Sequence, residues 1–157
     1  MTKTYLFDWG DTLMVDFPNA KGKMCDWNVV EIVNGAKEAL DNISIHSQIY
    51  IATSADESTE NDIKLAFERV GLAKYISGYF CKENLGITKG SPEFYLAIVK
   101  KLKLQPNQVV MVGDTIEKDI KPALQAGLDA IWFNHSYENK QNSEHIKQIN
   151  NLFELCT

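Results

Sequence analysis

Short apolar runs alternate along the chain with longer stretches in which apolar residues return every three or four positions. Thr4 to Phe7 (TYLF), Gln48 to Ala52 (QIYIA), Val109 to Val112 (VVMV) and Asp129 to Phe133 (DAIWF) read as strands, with Gly78 to Cys81 (GYFC) as a further candidate. Helical spacing fills the gaps at Gly35 to Ile43, Ser58 to Val70, Ser91 to Leu102 and Ile116 to Ala126. Gly71 and Gly127 fall just past two of these helices, where a left-handed cap favours glycine. Such strand–helix alternation with short links predicts an α/β fold, Rossmann-like and three-layered, with a central parallel sheet covered on both faces.

Two segments break the pattern. Met14 to Glu31 (MVDFPNAKGKMCDWNVVE) has no clear period and suits a small flap, in which Met14, Phe17, Met24 and Trp27 either pack on the core or line a site mouth. From about residue 135 the chain becomes a polar tail, though Ile146, Ile149, Leu152 and Phe153 suit a terminal helix docking on the core. With no linker and no internal repeat, residues 1–157 read as a single domain.

In parallel sheets, ligands bind beyond the carboxyl ends of the strands. The residues immediately after the strands are Asp8, Thr53-Ser54 and Gly113-Asp114, all but the glycine polar. Each has an ordinary reading beside a chemical one. Asp8 is either a solvated turn residue or a carboxylate nucleophile at the sheet edge. Thr53 either donates to an anionic oxygen or caps the next helix, a role open also to Ser54, Asp56 or Ser58. Lys89 is either a surface lysine or the counter-charge of a phosphate. Asp114, with Asp119 five residues on, either caps a turn or offers oxygen to a hard cation such as Mg²⁺.

Composition narrows the context. A net charge of −5 argues against nucleic-acid partners, whose phosphates attract basic surfaces. Three scattered cysteines, Cys25, Cys81 and Cys156, fit a reducing cytoplasm better than a disulfide framework. No run approaches the roughly 18 apolar residues that suggest a membrane span. A cytoplasmic protein with no membrane partner is therefore expected, and nothing in the sequence specifies an oligomeric state. His46, His135 and His145 show no metal-ligand spacing and are assigned no role.

Taken in order, the strand-end Asp8, strand-end Thr53, pre-helix Lys89 and GDTIEKD of residues 113–119 resemble the motifs of the haloacid dehalogenase (HAD) superfamily. The resemblance runs from Tyr5 to about Asn134. It implies Asp8 as the nucleophile that becomes an aspartyl-phosphate, with Thr53, Ser54 and Lys89 binding the phosphoryl group. It implies Mg²⁺ held by Asp8, the backbone carbonyl of Gly10 and Asp114, while Asp119 orients Lys89 or a metal-bound water. The implied substrate is a phosphorylated small molecule, or a phosphoprotein if the site is nearly uncapped.

One departure stands out. Phosphatases of the family carry a second Asp two residues after the nucleophile as general acid and base; here that position is Gly10, and Asp11 follows it. Neighbours on an extended segment face opposite ways, so Asp11 is expected to brace the turn instead. General acid–base help is worth about 10²–10⁴-fold, which predicts weak or narrow hydrolysis, slowest on poor leaving groups. The same departure leaves open a regulatory module that keeps the phosphate site, or a hydrolase of C–P or C–halogen bonds. A nucleotide-binding redox domain is disfavoured, since no G-x-G-x-x-G follows the first strand.

Overall fold

The strands Thr4–Phe7 (β1), Ile49–Ala52 (β2), Gly78–Phe80 (β3), Val109–Gly113 (β4) and Asp129–Phe133 (β5) form a parallel sheet, joined at its edge by Lys147–Ile149 (β6). The strand order is β3-β2-β1-β4-β5-β6, in a computed structural model that describes residues 2–135 and 146–156. All five strands read from the sequence are present, at most one residue displaced at an end.

The inner strands are mostly apolar because both sheet faces are covered. On one face Phe7, Ile51, Val112 and Phe133 pack with Leu40 and Ile43 of Ala36–Ser44 (α1) and with Ile63 and Phe67 of Glu60–Arg69 (α2). On the other, Leu6, Ala52, Met111 and Trp132 pack with Phe94 and Ile98 of a helix spanning Pro92–Leu102. Successive residues thus serve opposite cores, as strand pleating requires. Burying a side chain the size of Phe67 or Leu40 contributes about 1.5–3 kcal/mol.

Two helices were not anticipated in form. A single turn, Lys82–Leu85 (α3), precedes the long helix Pro92–Leu102 (α4). The segment expected as one helix from Ile116 opens as a π-helical turn, Ile116–Ile120, before the short Lys121–Gln125 (α5). Gly71 and Gly127 adopt positive φ, as expected of left-handed caps.

The expected terminal helix is a correction. Ile149 belongs to β6, and its carbonyl accepts the N–H of Asn134 at 2.8 Å. Leu152–Leu155 forms only a 3₁₀ turn, because the Glu154 carboxylate accepts the N–H groups of Asn150 and Asn151 and ends the strand there. Leu152 and Phe153 press on Gly35 at the start of α1, where a β-carbon would stand 3.1–3.2 Å from them. His145 and most of the polar stretch after residue 135 lie outside the described residues. Among the described residues, no helix is long and apolar enough to cross a membrane.

Candidate active site

Asp8, Thr53, Lys89, Asp114 and Asp119, drawn from segments far apart in sequence, meet at the carboxyl edge of the sheet. They line a cleft of about 530 Å³ that also takes in Gly10, Asp11 and Ser54.

The backbone N–H of Asp8 bonds to the Val112 carbonyl at 2.9 Å, which extends the β1–β4 ladder and fixes the carboxylate over the strand end. Its Oδ1 accepts from Lys89 Nζ at 2.7 Å, and its Oδ2 accepts from Thr12 Oγ1 at 3.1 Å. Burial alone would push this carboxyl up, but the Lys89 charge and the bonds from its neighbours outweigh burial and hold it below the usual range.

Lys89 is not a surface lysine: its side chain is 1% exposed. Besides Asp8, its ammonium donates to Asp119 Oδ1 at 2.6 Å and to the Ala52 carbonyl at 2.9 Å. An ammonium has three donors, and all three are engaged. Burial opposes its charge, but the two carboxylates overcome this and keep it firmly protonated.

Asp119 reaches Lys89 because of the π-helical turn and Gly113. The turn is pinned where Tyr95 donates to the Lys118 carbonyl at 2.9 Å. At Gly113, a β-carbon would fall 2.3 Å from Asp119 Oδ2, so only glycine leaves room. The second oxygen of Asp119 accepts the Thr115 N–H at 3.1 Å. Burial and the Asp8 charge raise this carboxyl to about 6, against the lowering pull of Lys89.

Asp114 is the unbalanced partner. Its backbone is anchored by Trp132 Nε1 on its carbonyl at 3.1 Å. Its carboxyl is pushed up to about 8 by burial and by Asp8, with Asp119 and Asp11 adding to the effect. Two carboxylates sharing one site do not both ionise freely, so one of them is pushed up. Asp8, Asp114 and Asp119 each place an oxygen within 4.8 Å of the others. Both Asp119 oxygens accept from Lys89 and Thr115, and both Asp8 oxygens from Lys89 and Thr12; all three carboxylates line the cleft, where oxygen donors suit a hard divalent ion. All-oxygen ligation of this kind fits Mg²⁺.

Thr53 extends the β2–β3 ladder through its N–H on the Phe80 carbonyl at 3.0 Å. Its Oγ1 accepts the Ala55 N–H at 3.1 Å, which leaves the hydroxyl proton available to a ligand. Helix capping belongs elsewhere. Thr59 caps α2, in a reciprocal box with Asp62, so none of Thr53, Ser54, Asp56 or Ser58 is the cap.

The segment after β1 turns sharply. Asp11 has φ 61°, donates its N–H to the Met14 carbonyl at 2.7 Å, and accepts the Asp16 N–H on Oδ1 at 3.0 Å. Met14 and Met24 are buried in the core, and Met24 also edges the cleft with Trp27. Phe17 lies against Trp27, with ring centroids 6.3 Å apart. Lys23 is paired with Asp62 at 2.9 Å, and Arg69 of α2 donates to the carbonyls of Cys25 and Trp27, clipping the segment down.

Three participants had not been singled out. Thr12 is fully buried, and its hydroxyl lies within reach of both Asp8 and Asp114 Oδ1, the latter at 3.3 Å. The threonine two places past Gly10 was the available signal. His135 Nε2 stands 4.0 Å from Asp114 Oδ2, with no sequence spacing to announce it. Asp16 lines the cleft beside Gly10; burial, Asp11 and Asp8 all raise its carboxyl.

A parallel α/β sheet carrying such a carboxylate–lysine centre defines a class, the HAD-like hydrolases. The family model of the haloacid dehalogenase-like hydrolases matches residues 13–127, and the chain belongs to that family. It is 27% identical over 156 residues to the pyrimidine 5'-nucleotidase YjjG of Escherichia coli, covering 94% of this chain and 66% of that protein. It is 31% identical over 111 residues to the ribulose-1,5-bisphosphate 5-phosphatase of Halopiger xanaduensis, covering 70% of this chain and 45% of that one. The chain thus spans between about half and two thirds of the length of these relatives. The HAD-hydrolase YfnB of Bacillus subtilis, solved bound to magnesium, shares the fold with a TM-score of 0.77 at 17% identity, covering 98% of this chain and 96% of that one.

Proposed function

We propose that the protein is a Mg²⁺-dependent phosphohydrolase acting on phosphorylated small molecules through an aspartyl-phosphate on Asp8. The observation that carries this reading is the buried Asp8 carboxylate, held ionised between Lys89 and Thr12 at the floor of an open cleft. An ionised carboxylate without bulk water around it is an effective nucleophile toward phosphorus.

Asp8, the Gly10 carbonyl and Asp114 would hold Mg²⁺, which when bound supplies positive charge against the phosphoryl oxygens. One Asp8 oxygen attacks phosphorus while the leaving oxygen departs toward the cleft mouth. The Thr53 hydroxyl donates to a phosphoryl oxygen, and Ser54 borders the same space. Lys89 balances the charge accumulating on Asp8 and the phosphoryl group, and Asp119 keeps Lys89 in place. Water then attacks the aspartyl-phosphate, releasing phosphate and restoring Asp8. The segment of residues 14–31 forms a small flap at the mouth.

The test is turnover of acetyl phosphate and p-nitrophenyl phosphate with and without Mg²⁺, beside Asp8→Asn. Turnover requiring both the metal and Asp8 is expected. Turnover surviving in Asp8→Asn would overturn the mechanism.

A further inference from the structure

A displacement at phosphorus launched from Asp8 expels the leaving group on the far side, toward the flap. An alkyl leaving oxygen needs a proton there, and Gly10 supplies no side chain to give one. Asp11 does not fill the gap, since its Oδ1 accepts the Asp16 N–H and ties the carboxylate into the turn. That bond instead fixes Asp16. The flanking Val15 N–H bonds to the Glu31 carbonyl at 2.8 Å, and Met14 before it is fully buried, so Asp16 sits on a braced backbone.

The Asp16 carboxyl lies directly beside the place where a position-10 side chain would start. A β-carbon built on Gly10 would stand 3.3 Å from Asp16 Cβ and 3.4 Å from Asp16 Oδ2. A side chain at position 10 would lie in contact with Asp16, so the two positions share one wall of the cleft. Among the described residues, the Asp16 carboxyl has no hydrogen-bond or ion-pair partner, unlike Asp8, Asp11 and Asp119. Asp56 and Glu57 also border the cleft, but they belong to the loop after β2 and do not adjoin Gly10.

We propose that Asp16 is the acid–base residue of this enzyme, delivered by the flap into the space left free at Gly10. In the first step Asp8 forms the new P–O bond, the P–O bond to the leaving group breaks, and the Asp16 carboxyl proton passes to the departing alkoxide to give the alcohol. In the second, Asp16 carboxylate takes a proton from the attacking water. The P–O bond to Asp8 breaks, Asp8 leaves as carboxylate, phosphate is released and Asp16 is again protonated. This rests on the phosphohydrolase reading above, and it removes the handicap on poor leaving groups that Gly10 would otherwise impose.

The experiment is kcat/KM for a series running from alkyl through aryl phosphates to acetyl phosphate, with Mg²⁺, for the native chain, Asp16→Asn and Asp8→Asn. In Asp16→Asn the alkyl phosphates should lose about 10²–10⁴-fold, with the loss shrinking as the leaving group becomes more acidic. The slope of log kcat/KM against leaving-group pKa therefore steepens. A burst of p-nitrophenol should appear as the phosphoenzyme accumulates. Gly10→Asp in the Asp16→Asn background should restore a shallow slope. Parallel lines for native and Asp16→Asn, with turnover still dependent on Asp8, would overturn the Asp16 assignment alone. Absence of Asp8-dependent turnover on every substrate would overturn the parent reading and this one with it.

Discussion

Asp119 Oδ2 occupies the position, within 2.3 Å, that would crowd out any β-carbon on Gly113. A single methyl there forces the Asp119 side chain away from the strand end, and with it the 2.6 Å contact to Lys89. Gly113→Ala is expected to cost about 1–3 kcal/mol in overpacking and to lower turnover sharply. Thermal unfolding and acetyl phosphate hydrolysis check both. A variant with native rate would mean that Asp119 does not position Lys89.

Removing the ammonium is expected to be worse. Lys89→Met leaves Asp8 and Asp119 facing each other in a buried site, and breaking such a pair costs about 3–5 kcal/mol. The loss should shrink at acid pH, where the stranded carboxylates take up protons. Urea unfolding at two pH values measures it.

In the proposed reaction, protons and Mg²⁺ compete for Asp114. Its folded pKa, about 8, lies above the ordinary value of 3.8, so the folded state holds an extra proton between those limits. Without a divalent ion, this group's contribution to stability therefore falls as pH rises through that window. Cation binding needs the carboxylate ionised, so Mg²⁺ affinity should climb from pH 6 to 8 and then level off. Titration by calorimetry checks this, and Asp114→Asn should weaken binding and flatten the profile.

Two side chains of α2, Asp62 and Arg69, hold the segment of residues 14–31, and Arg69 does so through that segment's backbone carbonyls. Arg69→Ala removes the donors to the Cys25 and Trp27 carbonyls. Exposed bonds of this kind contribute about 0.5–1.5 kcal/mol each, so stability should drop modestly. KM for alkyl phosphates should rise as Trp27 and Met24 lose their fixed positions at the cleft. Steady-state kinetics would show a native KM if the flap were held without Arg69.

The parts read from the sequence are those with local signatures. Runs such as VVMV announce strands buried on both faces, and the polar residues that end them announce the edge where the cleft lies. Asp8, Thr53 and Asp114 were visible for that reason. Asp16 was not, because its placement depends on the left-handed Asp11 and on a distant pairing between Val15 and Glu31. The strand Lys147–Ile149 was missed because two of its three residues are exposed and polar, as an edge strand allows. The cap of α2 moved to Thr59 because a reciprocal bond with Asp62 outcompetes any single hydroxyl upstream. In each case a non-local or reciprocal interaction decided what local preference left open.

Lys89 spends every N–H it has on the protein: Asp8, Asp119 and the end of β2. In the proposed reaction it would therefore act on an incoming phosphate through its field without gripping it. Recognition of the anion's shape would then fall to groups such as the Thr53 hydroxyl, whose proton is not used within the protein. A saturated counter-ion of this kind is held in one orientation, so in the proposed reaction alignment over Asp8 would have to come from the substrate and the rest of the cleft.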